Sequence, residues 1–210
     1  MPDAQFSSPD SPLAEEPAAP VRKRPKPGER RVQILQALAT MLEQPGAERI
    51  TTAALAARLE VSEAALYRHF ASKAQMFEGL IEFIEQSVFT LINQIVEREP
   101  QAPAQAGRIV AMLLQFAEKN PGMTRVMVGD ALVFENERLQ QRMNQFFDKV
   151  EASLKQCLRV AADGATPTVD AQVRASVLTA FTVGRLQRFA RSGFKRMPSE
   201  HLDASLARMI

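Results

Sequence analysis

The sequence predicts an all-α fold. Apolar residues recur at three- and four-residue spacing in nearly every segment between breaker clusters, which is the period of a helix with one buried face. Side chains that accept hydrogen bonds from exposed helix amides stand where these segments begin: Thr51, Ser62 and Ser72. No segment alternates apolar and polar residues as a half-buried strand does, and no internal repeat is visible. With 46% apolar and 24% charged residues, the 210-residue chain has enough apolar side chains for a sizeable core.

The elements follow in order. Residues 1–27 hold seven of the chain's 13 prolines and few groups to bury, so they are expected to form a disordered tail. Acids come first in this tail, then Arg22, Lys23, Arg24 and Lys26, and the basic run continues through Arg30 and Arg31. Two readings stay open for it: a solvated linker, or an arm laid along phosphates. Helix 1 is predicted over about 29–43, with Val32, Leu35, Leu38, Ala39 and Leu42 inward and Pro45-Gly46 as its stop. Two short helices follow, capped by Thr51 and Ser62, with Leu55, Leu59, Val61, Leu66 and Phe70 filling one small core. Ser72 and Gln75 form a capping box for a long helix over about 73–97, buried along Phe77, Leu80, Ile81, Ile84, Val88, Leu91, Ile92 and Ile95.

Pro100 and Pro103 end that helix, and helix 5 is expected over about 104–119, apolar nearly all round and therefore central. Asn120-Pro121 opens a short sixth helix as N-cap and first-position proline. Helix 7 is expected over about 135–161, with Leu139, Met143, Phe146, Phe147, Val150, Leu154 and Leu158 inward. DGATPT, residues 163–168, reads as a loop before helix 8 (about 169–191) and helix 9 (about 202–209).

Formal net charge is only +2, so any nucleic-acid surface must be local. A single Cys157 excludes an intramolecular disulfide framework, and its place beside Leu154 and Leu158 reads as a packed core thiol. There is no apolar leader and no apolar run of the roughly 20 residues that span a bilayer, so a cytoplasmic protein without membrane contact is expected. His69 and His201 are the only histidines and stand in no triad or metal spacing, so neither catalysis nor a metal or other cofactor is expected.

TTAALAARLEVSEAALYRHFASK, residues 51–73, has the arrangement of a helix-turn-helix, in which the second helix enters the DNA major groove. Its second half, VSEAALYRHFASK, resembles the recognition-helix signature of the TetR family. The longer blocks ITTAALAARLEVSEAALYRHFASKAQMFEGLIEFIEQS, AEKNPGMTRVMVGDALVFENERLQQRMNQFF and RFARSGFKRMPSEHLD are similar to one branch of it, the SlmA-type nucleoid occlusion factors. The likeness runs from about residue 29 to the last residue. It implies a helix-turn-helix domain over 28–72 and a helical dimerisation and regulatory domain over 73–210. One departure lies in the turn, where the family favours Gly in a left-handed conformation and this chain has Glu60, at a cost of about 1 kcal/mol.

For DNA, the resemblance implies phosphate contacts by Tyr67, His69 and Lys73. Each has a plainer reading: Tyr67 as a half-buried core residue, His69 as a ring packed on helix 1. Lys73 opens a helix, where positive charge is unfavourable unless an anion faces it. Thr51 and Thr52 cap their helix and also present amides to a phosphate. The exposed side chains of helix 3 are expected to be Ser62, Glu63, Ala64 and Arg68. Of these, Arg68 alone can make a bidentate contact to guanine; Glu63 can accept from a cytosine amine and Ala64 can touch a thymine methyl. Affinity should then be largely phosphate-based and salt-sensitive, on palindromic sites read by a homodimer, with room for higher-order assembly on DNA.

For the body, helices 8 and 9 are expected to carry Val173, Val177, Leu178, Ala180, Phe181, Val183, Leu186 and Phe189 in one extensive stripe, too apolar for a lone surface helix. Relatives in the branch bind the C-terminal tail of the division protein FtsZ in a groove between helices 4 and 5. The matching positions here are Phe83, Leu91, Met112, Gln115, Lys119 and Asn120. Core packing is the competing reading of Leu91 and Met112, whereas Phe83 lies off the buried stripe between Glu82 and Glu85. The branch tends to have a basic residue at Leu91 and a small one at Gln115. The expected function is that of a nucleoid-associated, DNA-bound dimer that antagonises FtsZ polymers; the alternative is a ligand-responsive TetR-type repressor.

Overall fold

The structure, a computed structural model, describes residues 28–44, 50–161 and 167–210. The proline-rich tail, the Pro45-Gly46 stop and residues 163–166 of the expected loop lie outside the described residues. The helices are α1 (Glu29–Leu42), α2 (Thr52–Arg58), α3 (Glu63–Tyr67), α4 (Lys73–Arg98) and α5 (Ala102–Lys119). There follow α6 (Pro121–Met127), a 3-10 turn (Asp130–Leu132), α7 (Glu137–Ala161), α8 (Pro167–Arg191) and α9 (Leu202–Leu206). No strand occurs among the described residues.

Local chemistry accounts for the starts of the early helices. The Thr51 hydroxyl oxygen accepts from the Ala54 amide at 3.1 Å, Ser62 from Ala65 at 3.3 Å and Ser72 from Gln75 at 3.2 Å. The return half of the capping box is shifted by one residue: Gln75 Oε1 accepts from the amide of Ala71 at 2.8 Å rather than from Ser72. Pro121 opens α6 as the sequence predicts, but two other prolines lie inside helices rather than in a stop or a loop. Pro103 is the second residue of α5, where its missing N–H costs nothing, and Pro167 opens α8. Asn120 precedes α6 without a side-chain capping bond; its Nδ2 donates instead to the Phe116 carbonyl at 2.8 Å, closing the end of α5.

The head, α1 to α3, packs Ile34, Leu38 and Leu42 with Leu55, Ala56, Leu66 and Phe70. Ile34 takes the inward place expected of Val32, which is exposed, because α1 is rotated to meet α4 and α6 as well as α2. Leu59 and Val61 are only partly buried at the rim. Glu60 adopts φ 53, so the left-handed turn is kept without glycine.

In the body, α5 is central: Ala106, Ile109, Val110, Leu113, Leu114 and Ala117 are fully buried, and α4, α6, α7 and α8 all pack on it. α4 spans head and body. Met76 joins its buried stripe, while Leu91 falls on its solvent edge. α4 runs parallel to α7, since Lys73 pairs with Glu135, Glu78 with Arg138 and Glu85 with Arg142 in ascending order. α7 and α8 are antiparallel, with Gln172 donating to Glu151 while Gln187 and Gln140 line one cleft toward the opposite end. Phe146 of α7 packs edge-on against both Phe89 and Phe147.

The expected stripe on helices 8 and 9 lies wholly on α8 and divides into two faces. Leu178, Leu186 and Phe189 are buried, whereas Val173 and Val177 are 58% and 47% exposed, and Ala180 is exposed too. Phe181 and Val183 fall between these faces. Residues 173, 177 and 180 follow the spacing of one helix face, so α8 turns an apolar stripe to the outside.

Candidate nucleic-acid interface

α2, the left-handed turn at Glu60 and α3 form the helix-turn-helix, and two side-chain contacts hold it rigid. The Thr52 hydroxyl donates to the Glu63 carboxylate at 2.6 Å, joining the starts of α2 and α3. The Arg31 guanidinium, from α1, donates to the His69 carbonyl at 2.6 Å and sits 4.1 Å from the centre of the Phe70 ring. It thereby satisfies a carbonyl just beyond α3, where helix carbonyls lack partners. Arg31 belongs to the basic run that the sequence leaves open as a solvated linker or a phosphate arm; its guanidinium is engaged within the fold.

Thr51 and Ser62 spend their oxygens on caps, and Glu63 already accepts from Thr52. Ala64, Tyr67, Arg68 and His69 are exposed, Tyr67 to 45%, and none of them packs in the core. α3 has only five residues, so Arg68 is its capping residue rather than an interior one, and His69 follows it. Lys73, the first residue of α4, is not solvated alone: its ammonium lies 2.5 Å from Glu135 and 5.7 Å from the centre of the Phe77 ring. Near this surface the sequence gives no sign of Glu135 and marks Arg31 only as part of its basic run, not as a partner of His69. Neither is within one helical turn of its partner in the chain, so no local pattern reports them.

The second candidate surface spans α4 and α5, which pack side by side. On α4, Phe83 and Leu91 stand two turns apart on one face and are 48% and 37% exposed. On α5, Met112, Gln115 and Lys119 share a face; Gln115 and Lys119 are exposed and Met112 is half-buried. Asn120, also half-buried, has its side-chain amide committed to Phe116. On another side of α4, Arg142 reaches Glu85 at 2.6 Å. The hydrogen bond to that carboxylate pushes the guanidinium pKa above its ordinary value, against the opposing effect of burial.

Of the polar side chains buried in the body among the described residues, Thr179 has no hydrogen-bond partner and the other three serve local needs. Thr124 donates to the Ala117 carbonyl at 2.9 Å, and Thr182 to Leu178 at 2.8 Å. Glu99 accepts from the Gln101 amide and pairs with Arg108 at 2.8 Å. A cleft of about 550 Å³ between α4, α5 and α7 reaches Cys157, whose thiol pKa burial raises. Among the described residues, no helix is long and apolar enough to cross a membrane, and no three His, Cys, Asp or Glu side chains cluster as metal ligands do.

Comparison with known proteins places this geometry. Residues 34–80 match the family model of bacterial regulatory proteins of the tetR family, and residues 101–209 the SlmA-like model of the tetracyclin repressor-like C-terminal domain. The chain is 52% identical over 177 residues to the nucleoid occlusion factor SlmA of Idiomarina loihiensis, covering 83% of this chain and 90% of that one. It is 53% identical over 178 residues to SlmA of Escherichia fergusonii, with coverage of 83% and 90%. Among solved structures, the fatty acid degradation regulator FadR of Bacillus halodurans superposes with TM-score 0.72 at 12% identity, covering 88% of this chain and 96% of that one. A TetR regulator of Legionella pneumophila does so with TM-score 0.66 at 15% identity, covering 90% and 100%. These last two show the fold alone; the sequence relatives show the branch. The chain belongs to the TetR family of DNA-binding proteins and, within it, to the SlmA-type nucleoid occlusion factors.

Proposed function

We propose that this chain works as a symmetric dimer that binds palindromic DNA through α3 and, once bound, holds the C-terminal tail of FtsZ between α4 and α5. By antagonising FtsZ polymers there it keeps the septum from forming over the nucleoid, in the cytoplasm. The head is residues 28–72; the partner-binding and dimerising body is residues 73–210. The observation that carries this reading is the course of α4, whose first residue, Lys73, sits at the DNA-binding head while Phe83, ten positions on, offers an exposed ring on the body. One rigid helix thus serves both partners.

On DNA, Tyr67, His69, Lys73 and the amides at Thr51 and Thr52 take phosphates, and their contribution falls with salt. Arg68 reads a guanine edge, with Ser62, Glu63 and Ala64 lining the same groove. In the second site Phe83, Leu91 and Met112 supply apolar contact, and Gln115, Lys119 and Asn120 supply polar contact to an extended peptide. Dimerisation covers the outward stripe of α8, which would otherwise leave valines in water.

The test is anisotropy of a labelled FtsZ C-terminal tail peptide titrated with the full chain, with and without palindromic DNA. Saturable micromolar binding that Phe83→Ala abolishes supports the reading. No binding in either condition, with DNA binding intact, turns the assignment to a ligand-responsive repressor. On the DNA side, Tyr67→Ala should weaken binding evenly across sequences. A change in base preference at unchanged affinity would refute the phosphate assignment.

A further inference from the structure

We propose that Glu135 sets the DNA affinity of this protein by competing with a backbone phosphate for the ammonium of Lys73. The inference rests on the reading of Lys73 as a phosphate contact and adds a residue that governs it. Lys73 is the first residue of α4, where the unpaired amides carry partial positive charge and a cation calls for an anionic neighbour. Glu135 supplies it at 2.5 Å, from the segment between the 3-10 turn and α7.

The two partners are unequally placed. The Lys73 side chain is 27% exposed and ends a flexible four-carbon stem, whereas the Glu135 side chain is 11% exposed. Two further pairs hold the start of α7 against α4 just beyond it: Glu78 with Arg138 at 2.7 Å and Glu85 with Arg142 at 2.6 Å. Glu135 therefore cannot swing aside when DNA arrives. An approaching phosphate meets an ammonium that this carboxylate already holds. Either Lys73 leaves a mostly buried carboxylate unpaired, or it divides its N–H donors between two anions. In both cases Glu135 lowers the affinity that Lys73 alone would give. By linkage, removing the Glu135 charge tightens DNA binding, and DNA binding weakens the Lys73–Glu135 pair.

The experiment measures binding of the full chain to a labelled palindromic duplex over a range of salt for wild type, Glu135→Gln, Lys73→Ala and the double variant. Glu135→Gln should tighten binding about three- to tenfold at ~50 mM salt, with the gain shrinking as salt rises. In the Lys73→Ala background the same change should do nothing. Weaker or unchanged binding by Glu135→Gln overturns the proposal, since the carboxylate then orients the lysine or is irrelevant. Equal tightening with and without Lys73 also overturns it, since the charge then acts on DNA at large. Lys73→Ala without effect removes the phosphate reading itself, and the competition with it. Should Glu135→Gln fold poorly by thermal melting, Glu135→Met suits so little-exposed a position and reports the same difference.

Discussion

The guanidinium of Arg31 donates to the carbonyl of His69 across 2.6 Å while lying over the Phe70 ring, so a residue of the first helix closes the end of the third. α3 has five residues, too few to hold its own shape in water, and it depends on such outside contacts for orientation. Arg31→Ala removes a charge-assisted bond and a cation–π contact at a solvent-exposed site, worth about 1 kcal/mol together. The expected result is a melting temperature lower by about 2–4 °C. DNA affinity should fall for all sequences alike, because the whole of α3 shifts rather than one base contact. Melting by circular dichroism and duplex titration check the two effects.

At Gly122 α6 comes very close to the backbone of α1. A Cβ built there would stand 1.9 Å from the carbonyl oxygen of Ala39 on α1, and that oxygen is backbone and cannot step aside. Gly122→Ala must therefore push α6 off α1, at a cost of about 3 kcal/mol. Denaturant unfolding should show the loss. Gly107→Ala, where a Cβ would meet only side-chain atoms at 3.7 Å or more, serves as the comparison and should fold normally.

Val177 lies in the middle of the outward stripe of α8. Val177→Glu should leave the protomer folded, since the side chain is already about half exposed, but should break the proposed dimer by placing charge in its apolar interface. Sedimentation velocity reads the mass directly. An unchanged dimer would move the interface to another face. Loss of dimer should also weaken binding to a palindrome much more than to a single half-site.

The Cys157 thiol is buried, and burial raises its pKa above the ordinary value of 9.0. As pH rises through that ordinary value, the unfolded chain loses a proton that the folded chain keeps. The folded state binds more protons there, so the stability contribution falls with rising pH in that range and is flat below it. The thiol should react slowly with an aromatic disulfide reagent at pH 8 and fully once denaturant is added. Fast reaction of the native protein would mean that the cleft beside it opens.

Much of the architecture is written in local patterns. Caps at Thr51, Ser62 and Ser72 act within three residues, and the long apolar periods of α4 and α7 exceed any competing signal. Departures occur where local and non-local demands differ. Val32 and Ile34 are both apolar and close in sequence, and only the simultaneous packing of α1 on α2, α4 and α6 buries Ile34 in preference. On α8 the apolar residues exceed what one core can cover, so periodicity registers them as one stripe although Val173 and Val177 face outward. Leu91 likewise reads as a buried period of α4, yet it lies at the solvent edge, 37% exposed.

By itself the sequence determined the all-helical fold, the helix-turn-helix and the branch of the family, because caps, periods and contiguous motifs are local and survive in any register of packing. Tertiary structure alone decided which charges are engaged. Arg31 meets His69, Lys73 meets Glu135 and Arg142 meets Glu85, each across dozens of residues. Such pairs depend on the angle at which whole helices cross, which is set by the close fit of buried side chains and by a contact as tight as Gly122 on Ala39.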